Sequence, residues 1–225
     1  AISGDHAIVG AYQDDDGGSN SGSAYIFKRD GTSWPHQDKI IGSDVATIDN
    51  FGHSVAIDGE YAIVGAAGDD DGGSASGSAY IFKWDGTSWP QQDKIVASDA
   101  HAGDNFGNSV AIDGEYAIVG ANGSSSSGSV YIFKRDGTSW SQQAKLTASD
   151  AAERDRFGNS VSISGDHAIV GAHYNDDAGD ESGSAYIFFR SGTTWTEQAK
   201  VIASDGAAED QFGFSVSISG DYAIV

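Results

Sequence analysis

Runs of aspartate among small residues are the part of this chain whose residue types and spacing most clearly suggest metal-binding chemistry. One run, residues 69–71, stands in the stretch GAAGDDDGGSASGSAYIF. Calcium takes carboxylate and carbonyl oxygens in flexible loops, and glycines let a loop wrap around the ion. A Ca²⁺ site is therefore one interpretation, and a solvated acidic loop is the other. The candidate metal ligands are Asp14, Asp16, Asp69, Asp71, Asp176 and Asp180.

Aromatic and amide side chains accompany the acidic runs at positions where otherwise similar segments of the chain differ. Such side chains suit a sugar, which stacks on an aromatic ring and exchanges hydrogen bonds with amides. Tolerated loop variation is the alternative interpretation. The candidate ligand-binding residues are Tyr12, Gln13, Asn122, His173, Tyr174 and Asn175.

Catalytic motifs are not evident in the sequence. Ser54 lies in Gly-His-Ser-Val-Ala, which lacks the second glycine of a nucleophile elbow. We find no phosphate-binding loop and no zinc signature in the sequence. We therefore predict that the protein is not an enzyme.

The composition restricts the classes of partner. The 225 residues include 33 acidic and 12 basic side chains, which gives a formal net charge of −21. Nucleic acids and anionic membrane surfaces would be repelled by this charge, whereas basic proteins, metal cations and neutral glycans would not. Cysteine is absent, so disulfides and thiolate metal sites are excluded. No apolar run reaches the roughly 18 residues of a membrane-spanning segment, and we expect no membrane insertion.

The positions of these residues repeat along the chain. The motif Phe-Gly-x-Ser-Val recurs at Phe51, Phe106, Phe157 and Phe212, and a tyrosine before Ile-Phe recurs at Tyr25, Tyr80, Tyr131 and Tyr186. Both series have spacings of 55, 51 and 55 residues, and the shorter spacing arises where NGSSSSG replaces GDDDGGSASG. We predict a single region of tandem repeats over residues 1–225. Its repeats are 1–50, 51–105, 106–156 and 157–211, followed by a partial repeat, 212–225.

Each repeat is predicted to contain four strands. In the second repeat they are 51–57, 61–66, 78–83 and about 89–96, with Asp-Gly turns that favour hairpins. The second and third strands are apolar at successive positions, so both faces of the sheet must be buried. Repeated four-stranded units of about 50 residues achieve this by stacking radially as propeller blades. We therefore predict an all-β fold, a β-propeller of four-stranded antiparallel blades.

The motifs Phe106-Gly107 and Val64-Gly65-Ala66 resemble the FG and GAP of FG-GAP repeats, with the proline absent. These repeats build the propeller of integrin α-subunits and of many bacterial relatives. Such propellers usually have seven blades, so the resemblance implies that these four repeats are part of a larger ring or are completed by a second copy in a homo-oligomer. It also implies a recognition or adhesion module located outside the cell or on its surface. The family's calcium loop between strands one and two is reduced here to short turns such as 57–60, which cannot supply six to eight oxygens.

Loops in such a blade alternate between the two ends of its strands. The loop after strand two and the connection between blades should emerge together, and they hold 20 of the 33 acidic residues. We predict that this acidic face binds a protein or a cation-bridged ligand. A carbohydrate-binding lectin is one alternative, and a structural or engineered repeat scaffold without a specific ligand is another.

A regular pair of aspartates precedes each Phe-Gly motif. Regular repetition favours a structural role, in which carboxylates accept backbone N–H groups and hold the connection between blades. Cation binding is the alternative. The pairs are Asp44 with Asp49, Asp99 with Asp104, Asp150 with Asp155, and Asp205 with Asp210.

Overall fold

The structure is a computed structural model that describes residues 1–123 and 126–225, and these residues form strands and loops without a helix. Four antiparallel sheets of four strands follow one another in chain order. Blade 1 contains β1 (Ile2–Ser3), β2 (His6–Ala11), β3 (Ser23–Lys28) and β4 (His36–Ile40). Blade 2 contains β5 (Phe51–Asp58), β6 (Tyr61–Ala66), β7 (Ser78–Lys83) and β8 (Gln91–Ile95). Blade 3 contains β9 (Phe106–Asp113), β10 (Tyr116–Ala121), β11 (Ser129–Asp136) and β12 (Ser139–Leu146).

Blade 4 contains β13 (Ser160–Ser164), β14 (His167–Ala172), β15 (Ser184–Ser191) and β16 (Thr194–Val201). The terminal hairpin pairs β17 (Ser217–Ser219) with β18 (Tyr222–Ile224). This sequence of blades confirms the predicted all-β, propeller-like architecture.

In blade 2 the second and third strands have the predicted limits, the first ends one residue later than predicted, at Asp58, and the last strand differs more. That strand, β8, begins at Gln91, two residues after Trp89, because Asp85 and its turn occupy the preceding residues. In blade 4, Phe157 is outside β13 and pairs only through a bridge to Gly128. The Phe-Gly motif is thus a point of contact between blades as well as the start of a strand.

Burial on both faces of the sheets, expected from the continuous apolar runs, is present. All six residues of β6 are buried, and one apolar cluster lies between each pair of consecutive blades. In the cluster between blades 1 and 2, the ring of Phe51 packs edge-on against Tyr80, with centroids 5.3 Å apart. Phe106 and Phe157 repeat this contact with Tyr131 and Tyr186. Each blade therefore covers its neighbour's apolar face, which is the main source of stability in such a stack.

The glycines of the two repeat motifs meet where neighbouring blades come closest. A β-carbon added at Gly65 would lie 2.0 Å from the carbonyl oxygen of Gly107 in the next blade. Ser54 donates a hydrogen bond of 2.7 Å to that same carbonyl. Only glycine allows backbones to approach this closely, and the contact recurs between Gly120 and Gly158.

The acidic loops lie together at one end of the strands, which we call the loop end. It consists of the loops after each second strand and the connections between blades. Backbone bonds join the two, as from Gly103 N–H to the Ser74 carbonyl at 2.8 Å and from Phe51 N–H to the Ser21 carbonyl at 3.0 Å. The short turns and the connections between the third and fourth strands form the opposite hairpin end. The third blade's loop includes residues 124 and 125, so that part of the predicted shorter loop lies outside the described residues.

The two outermost sheets leave apolar side chains uncovered. In the terminal hairpin, Tyr222 is 83% and Ile224 is 71% exposed, whereas the equivalent residues of blade 2, Tyr61 and Ile63, are buried. In blade 1, Ile2 is 64% exposed. Each of these surfaces corresponds to one that a neighbouring blade covers elsewhere.

Candidate binding surface at the loop end

In blades 1 and 2, the first aspartate of the acidic run is turned into the blade. The Asp69 side chain is only 4% exposed, and its carboxylate accepts hydrogen bonds from Ser78 Oγ at 2.9 Å and Tyr80 Oη at 3.1 Å. It also accepts the backbone N–H of Asp71 at 3.1 Å. In blade 1, Asp14 has the same contacts with Ser23 and Tyr25. Asp69 and Asp14 are therefore built into the scaffold.

A lysine ammonium lies at the centre of this carboxylate cluster. Lys94 Nζ, on β8, is 3.0 Å from Asp69, 2.6 Å from Asp71 and 2.8 Å from Asp44. It also lies 5.1 Å from the centre of the Tyr80 ring. Asp44 belongs to the connection from blade 1, so one largely buried ammonium group joins two blades and the acidic loop.

The same lysine recurs in every complete blade. Lys39 contacts Asp14 at 3.1 Å and also contacts Asp16. Lys200 contacts Asp150 at 2.5 Å and Asn175 at 3.1 Å, and it also pairs with Asp177. These ammonium groups neutralise much of the charge on the innermost carboxylates.

In blade 3 the arrangement is reduced to one carboxylate. Lys145 contacts Asp99 at 2.7 Å, and Tyr131 donates a hydrogen bond of 2.9 Å to the same group. The lysine–aspartate contact between blades is thus kept in the blade that lacks an acidic run.

These contacts shift the pKa values of the groups that make them. Burial opposes the charged form of Lys94, but hydrogen bonds to Asp44 and Asp71 outweigh this and raise the lysine's pKa above its ordinary value. The backbone N–H of Asp16 and the ammonium of Lys39 lower the pKa of Asp14 to about 2. Burial raises the pKa of Tyr80, which remains a neutral hydrogen-bond donor.

The donor set does not fit calcium at the innermost carboxylates. Calcium requires six to eight oxygen ligands, and here an ammonium group lies within 3.1 Å of Asp14, Asp69 and Asp71. Within residues 1–123 and 126–225, no group of three or more His, Cys, Asp or Glu side chains has the arrangement of a metal site. Calcium binding by these residues stays a prediction. The described side chains do not form a ready-made calcium site.

In the fourth blade, the residue that is structurally equivalent to Asp69 is not the first aspartate of the acidic run. Asn175, not Asp176, takes the position of Asp69, because its side-chain oxygen accepts the Ser184 hydroxyl at 2.7 Å and the Lys200 ammonium at 3.1 Å. Asn175 is buried and thus part of the scaffold. Asp180 is exposed and, like Asp176, makes no contact with that lysine among the described side chains.

A separate pocket of about 470 Å³ lies at the loop end between blades 3 and 4. We call it the loop-end pocket. The Arg156 guanidinium lies over the Tyr174 ring, 4.9 Å from its centre. Neither Arg154 nor Arg156 forms an ion pair within the part of the chain that the structure describes. The pocket is lined by Glu153, Arg154, Arg156, Tyr174, Asp176, Asp180 and Glu181.

The remaining candidate ligand residues lie toward the inner edge of the loop end. Tyr12 is exposed and packs edge-on against His53 of the next blade at 5.5 Å, and Gln13 is also exposed. Asn122 is buried and donates a hydrogen bond of 3.2 Å to Asn159. The candidates are therefore divided between surface and interior, and only Tyr174 is part of the loop-end pocket.

His173 occupies the same inner position in blade 4 and is buried there. Its ring packs at 4.2 Å from Tyr174 and at 5.3 Å from Phe214. Burial, with a smaller effect of Arg156, lowers the pKa of His173 to about 4. His173 is therefore a neutral packing residue at physiological pH.

The paired aspartates before each Phe-Gly motif have two different structural roles. The second member accepts the backbone N–H three residues earlier, as Asp49 does from Ala46 at 2.6 Å and Asp104 from His101 at 2.8 Å. In the first three pairs, the first member binds the lysine and tyrosine of the next blade, as Asp44 does. The predicted backbone capping is thus seen for the second aspartate of the pair.

Sequence reasoning missed the lysines and the arginines of this surface. Lys39, Lys94, Lys145 and Lys200 recur with the same 55, 51 and 55 spacing as the aromatic motifs, and this signal was available in the sequence. Arg154 and Arg156 depart from the repeat pattern, where the second blade has Gly103 and Asn105. Both of these non-repeating arginines line the loop-end pocket.

Comparison with known families places the whole chain in one class of repeat. A family model described as FG-GAP repeat matches residues 1–27, 34–82, 89–133, 140–188 and 195–225, which together are more than half of the chain. No curated protein sequence matches the chain. In the described residues, no helix has the length and apolar character needed to cross a membrane.

Proposed function

This chain belongs to the FG-GAP repeat family, and on that premise we propose that it is a non-enzymatic recognition module that binds a protein ligand through its loop end. FG-GAP repeats suggest a protein-interaction or adhesion-type module, and their all-β fold is typically non-catalytic. They are also typical of extracellular or surface proteins, and we propose that location here.

The observation that carries this proposal is the loop-end pocket between blades 3 and 4. It combines a tyrosine, two arginines without ion-pair partners among the described residues, and four acidic side chains. Tyrosine and arginine are enriched at protein interfaces, where they contribute most of the binding energy. Neither arginine is part of the repeat pattern that explains the scaffold. A ligand segment that carries a basic side chain beside an acidic one would match this mixture of charges.

The proposal is tested with a peptide array that varies the number and order of basic and acidic residues. A triple variant, Arg156→Ala with Asp176→Asn and Glu181→Gln, should lose binding to the peptides that the unmodified protein retains. The control is Lys134→Ala with Asp136→Asn and Glu115→Gln at the hairpin end, which makes the same change in charge.

Binding should also weaken as the salt concentration rises, because the contacts are between exposed charges. Equal loss in both triple variants, or no selectivity for peptides of mixed charge, would contradict the proposal. Binding that requires added calcium would instead support the cation-bridged ligand predicted from the sequence.

We also propose that a second copy of the chain covers the exposed sheets and completes a larger ring. The support is the apolar surface on Tyr222, Ile224 and Ile2, whose equivalents are buried between blades elsewhere. Exposed apolar sheet faces and open strand edges favour association. Light scattering should report twice the mass of one chain, and a strictly monomeric, stable particle would exclude this arrangement.

A further inference from the structure

A different site lies at the hairpin end, where one blade departs from the packing that the others share. In blade 3, Arg135 lies over Tyr61 of the preceding blade at 4.5 Å and donates a hydrogen bond of 3.0 Å to its hydroxyl. In blade 4, Arg190 lies over Tyr116 at 4.3 Å. An arginine on a tyrosine of the previous blade is thus the usual contact.

Blade 2 changes both members of this contact. Trp84 replaces the arginine, and its partner in blade 1 is His6 in place of tyrosine, with ring centroids 5.6 Å apart. Nε2 of His6 is buried and receives no hydrogen bond in the described part of the chain. Where blade 3 has the hydrogen bond from Arg135 to Tyr61, this boundary has aromatic packing between Trp84 and His6.

A pocket of about 530 Å³ lies beside the indole, at the position where blade 3 has a pocket of about 580 Å³ beside Arg135, and we call it the Trp84 pocket. Trp89 packs against Trp84 from within the blade, with centroids 5.6 Å apart, and a backbone hydrogen bond of 2.8 Å joins Trp84 to Glu60. The indole is thus held in place by its neighbours while its remaining surface lines the pocket. Glu60, Lys83, Pro90 and Gln91 form other walls.

The polar walls of the pocket offer both hydrogen-bond acceptors and donors. In blades 1 and 4 the acid at the position of Glu60 pairs with the arginine that blade 2 lacks, as Asp166 pairs with Arg190. The carboxylate of Glu60 forms no ion pair within residues 1–123 and 126–225. Glu60 can therefore accept hydrogen bonds from a ligand, and Lys83 can donate to one.

We propose that the Trp84 pocket binds a neutral saccharide, with one pyranose ring stacked on the indole. The C–H face of a pyranose is apolar and packs on an aromatic ring, while its hydroxyls donate to Glu60 and accept from Lys83. An anionic polymer is disfavoured by the net charge of −21. A cationic ligand is disfavoured because Lys28 Nζ already lies 5.8 Å from the Trp84 ring centre.

This site is independent of the proposed protein-binding function, because it lies at the opposite end of the blades from the loop-end pocket. The triple variant at the loop end should bind saccharides as the unmodified protein does. Failure of either proposal can therefore be recognised separately.

The test uses saturation-transfer NMR and tryptophan fluorescence with glucose, galactose, mannose, N-acetylglucosamine and the disaccharides cellobiose and lactose. At least one should contact the protein through its ring protons and quench the fluorescence. Trp84→Arg installs the residue that blades 1, 3 and 4 carry, so it should fold normally and weaken binding by roughly tenfold or more. Glu60→Gln should weaken binding with Trp84 intact.

The matched control is Trp34→Arg, which replaces another partly exposed tryptophan of the hairpin end outside the pocket. This variant should retain full saccharide binding. Absence of binding to all six sugars overturns the proposal. Binding that Trp84→Arg leaves unchanged also overturns it, because the sugar must then lie elsewhere.

Discussion

The Lys94 ammonium lies 3.0 Å from the Asp69 carboxylate, and both side chains are largely buried, with exposed fractions of 17% and 4%. The ammonium group of the protein's own lysine thus occupies the centre of the acidic loop, where the sequence pattern suggested a bound calcium ion. Because Asp44 of the preceding blade contacts the same ammonium, this lysine also links blades 1 and 2.

Replacement of Lys94 should convert the acidic loop into a divalent-cation site. Lys94→Met leaves Asp44, Asp69 and Asp71 close together without a counter-charge, so the free energy of unfolding should fall by about 3 kcal/mol. Calcium should then raise the melting temperature of the variant but not that of the unmodified protein. Calorimetry in calcium and in chelator measures both effects.

The control for this experiment is Lys83→Met, which removes a lysine that forms no ion pair among the described residues. Its melting temperature should not respond to calcium. A calcium-dependent stabilisation of the unmodified protein would show instead that the lysine does not exclude the ion.

The contact between Asp99 and blade 3 should contribute to stability although the carboxylate is partly exposed. Asp99→Asn weakens the bonds to Lys145 and Tyr131 and should lower the free energy of unfolding by about 1–2 kcal/mol. Urea denaturation measures this change. Asp136→Asn, at the exposed end of β11, is the control and should have little effect. Equal stability of the two variants would argue against a structural role for Asp99.

The close approach of Gly65 to Gly107 should make this position intolerant of any side chain. The β-carbon of Gly65→Ala would overlap the Gly107 carbonyl oxygen, so the blades must separate, and we expect a loss of about 3 kcal/mol. Gly59→Ala is the control. Gly59 has open space but a positive φ of 54°, and should lose only about 1 kcal/mol. Thermal unfolding that ranks the two variants in the opposite order would contradict the proposed contact.

Acid should destabilise the protein through His173. Its pKa is about 4 in the folded protein and near 6.5 when unfolded, so above pH 6.5 the ring is neutral in both states and stability is fully retained. As the pH falls from 6.5 to about 4, the unfolded chain binds a proton that the folded chain does not. Stability should therefore fall by at most about 1.4 kcal/mol per pH unit.

His173→Asn, which places the residue of blade 3 in blade 4, should reduce this dependence on pH. Melting temperatures between pH 7 and pH 4 provide the comparison, and NMR titration of the histidine ring reports the pKa directly. A ring that titrates near pH 6.5 in the folded protein would refute the effect of burial.

The sequence by itself determined the repeats, the four strands of each blade and the grouping of acidic loops at one end. These follow from local rules, because continuous apolar strands must be buried on both faces and Asp-Gly turns close hairpins. The tight contact of Gly65 with Gly107 gives the physical reason for two motifs that the sequence shows only as a pattern.

Only the tertiary structure decided which charges meet. Asp44, Asp69 and Lys94 are distant in sequence, and the lysine reaches both carboxylates because strand order and the stacking of blades bring three segments together. The same holds for the stacking of Arg156 on Tyr174, and for Trp84 on His6 of another blade. A pattern along one chain reports the strand on which a side chain lies, whereas its partner across a blade boundary depends on how whole sheets pack.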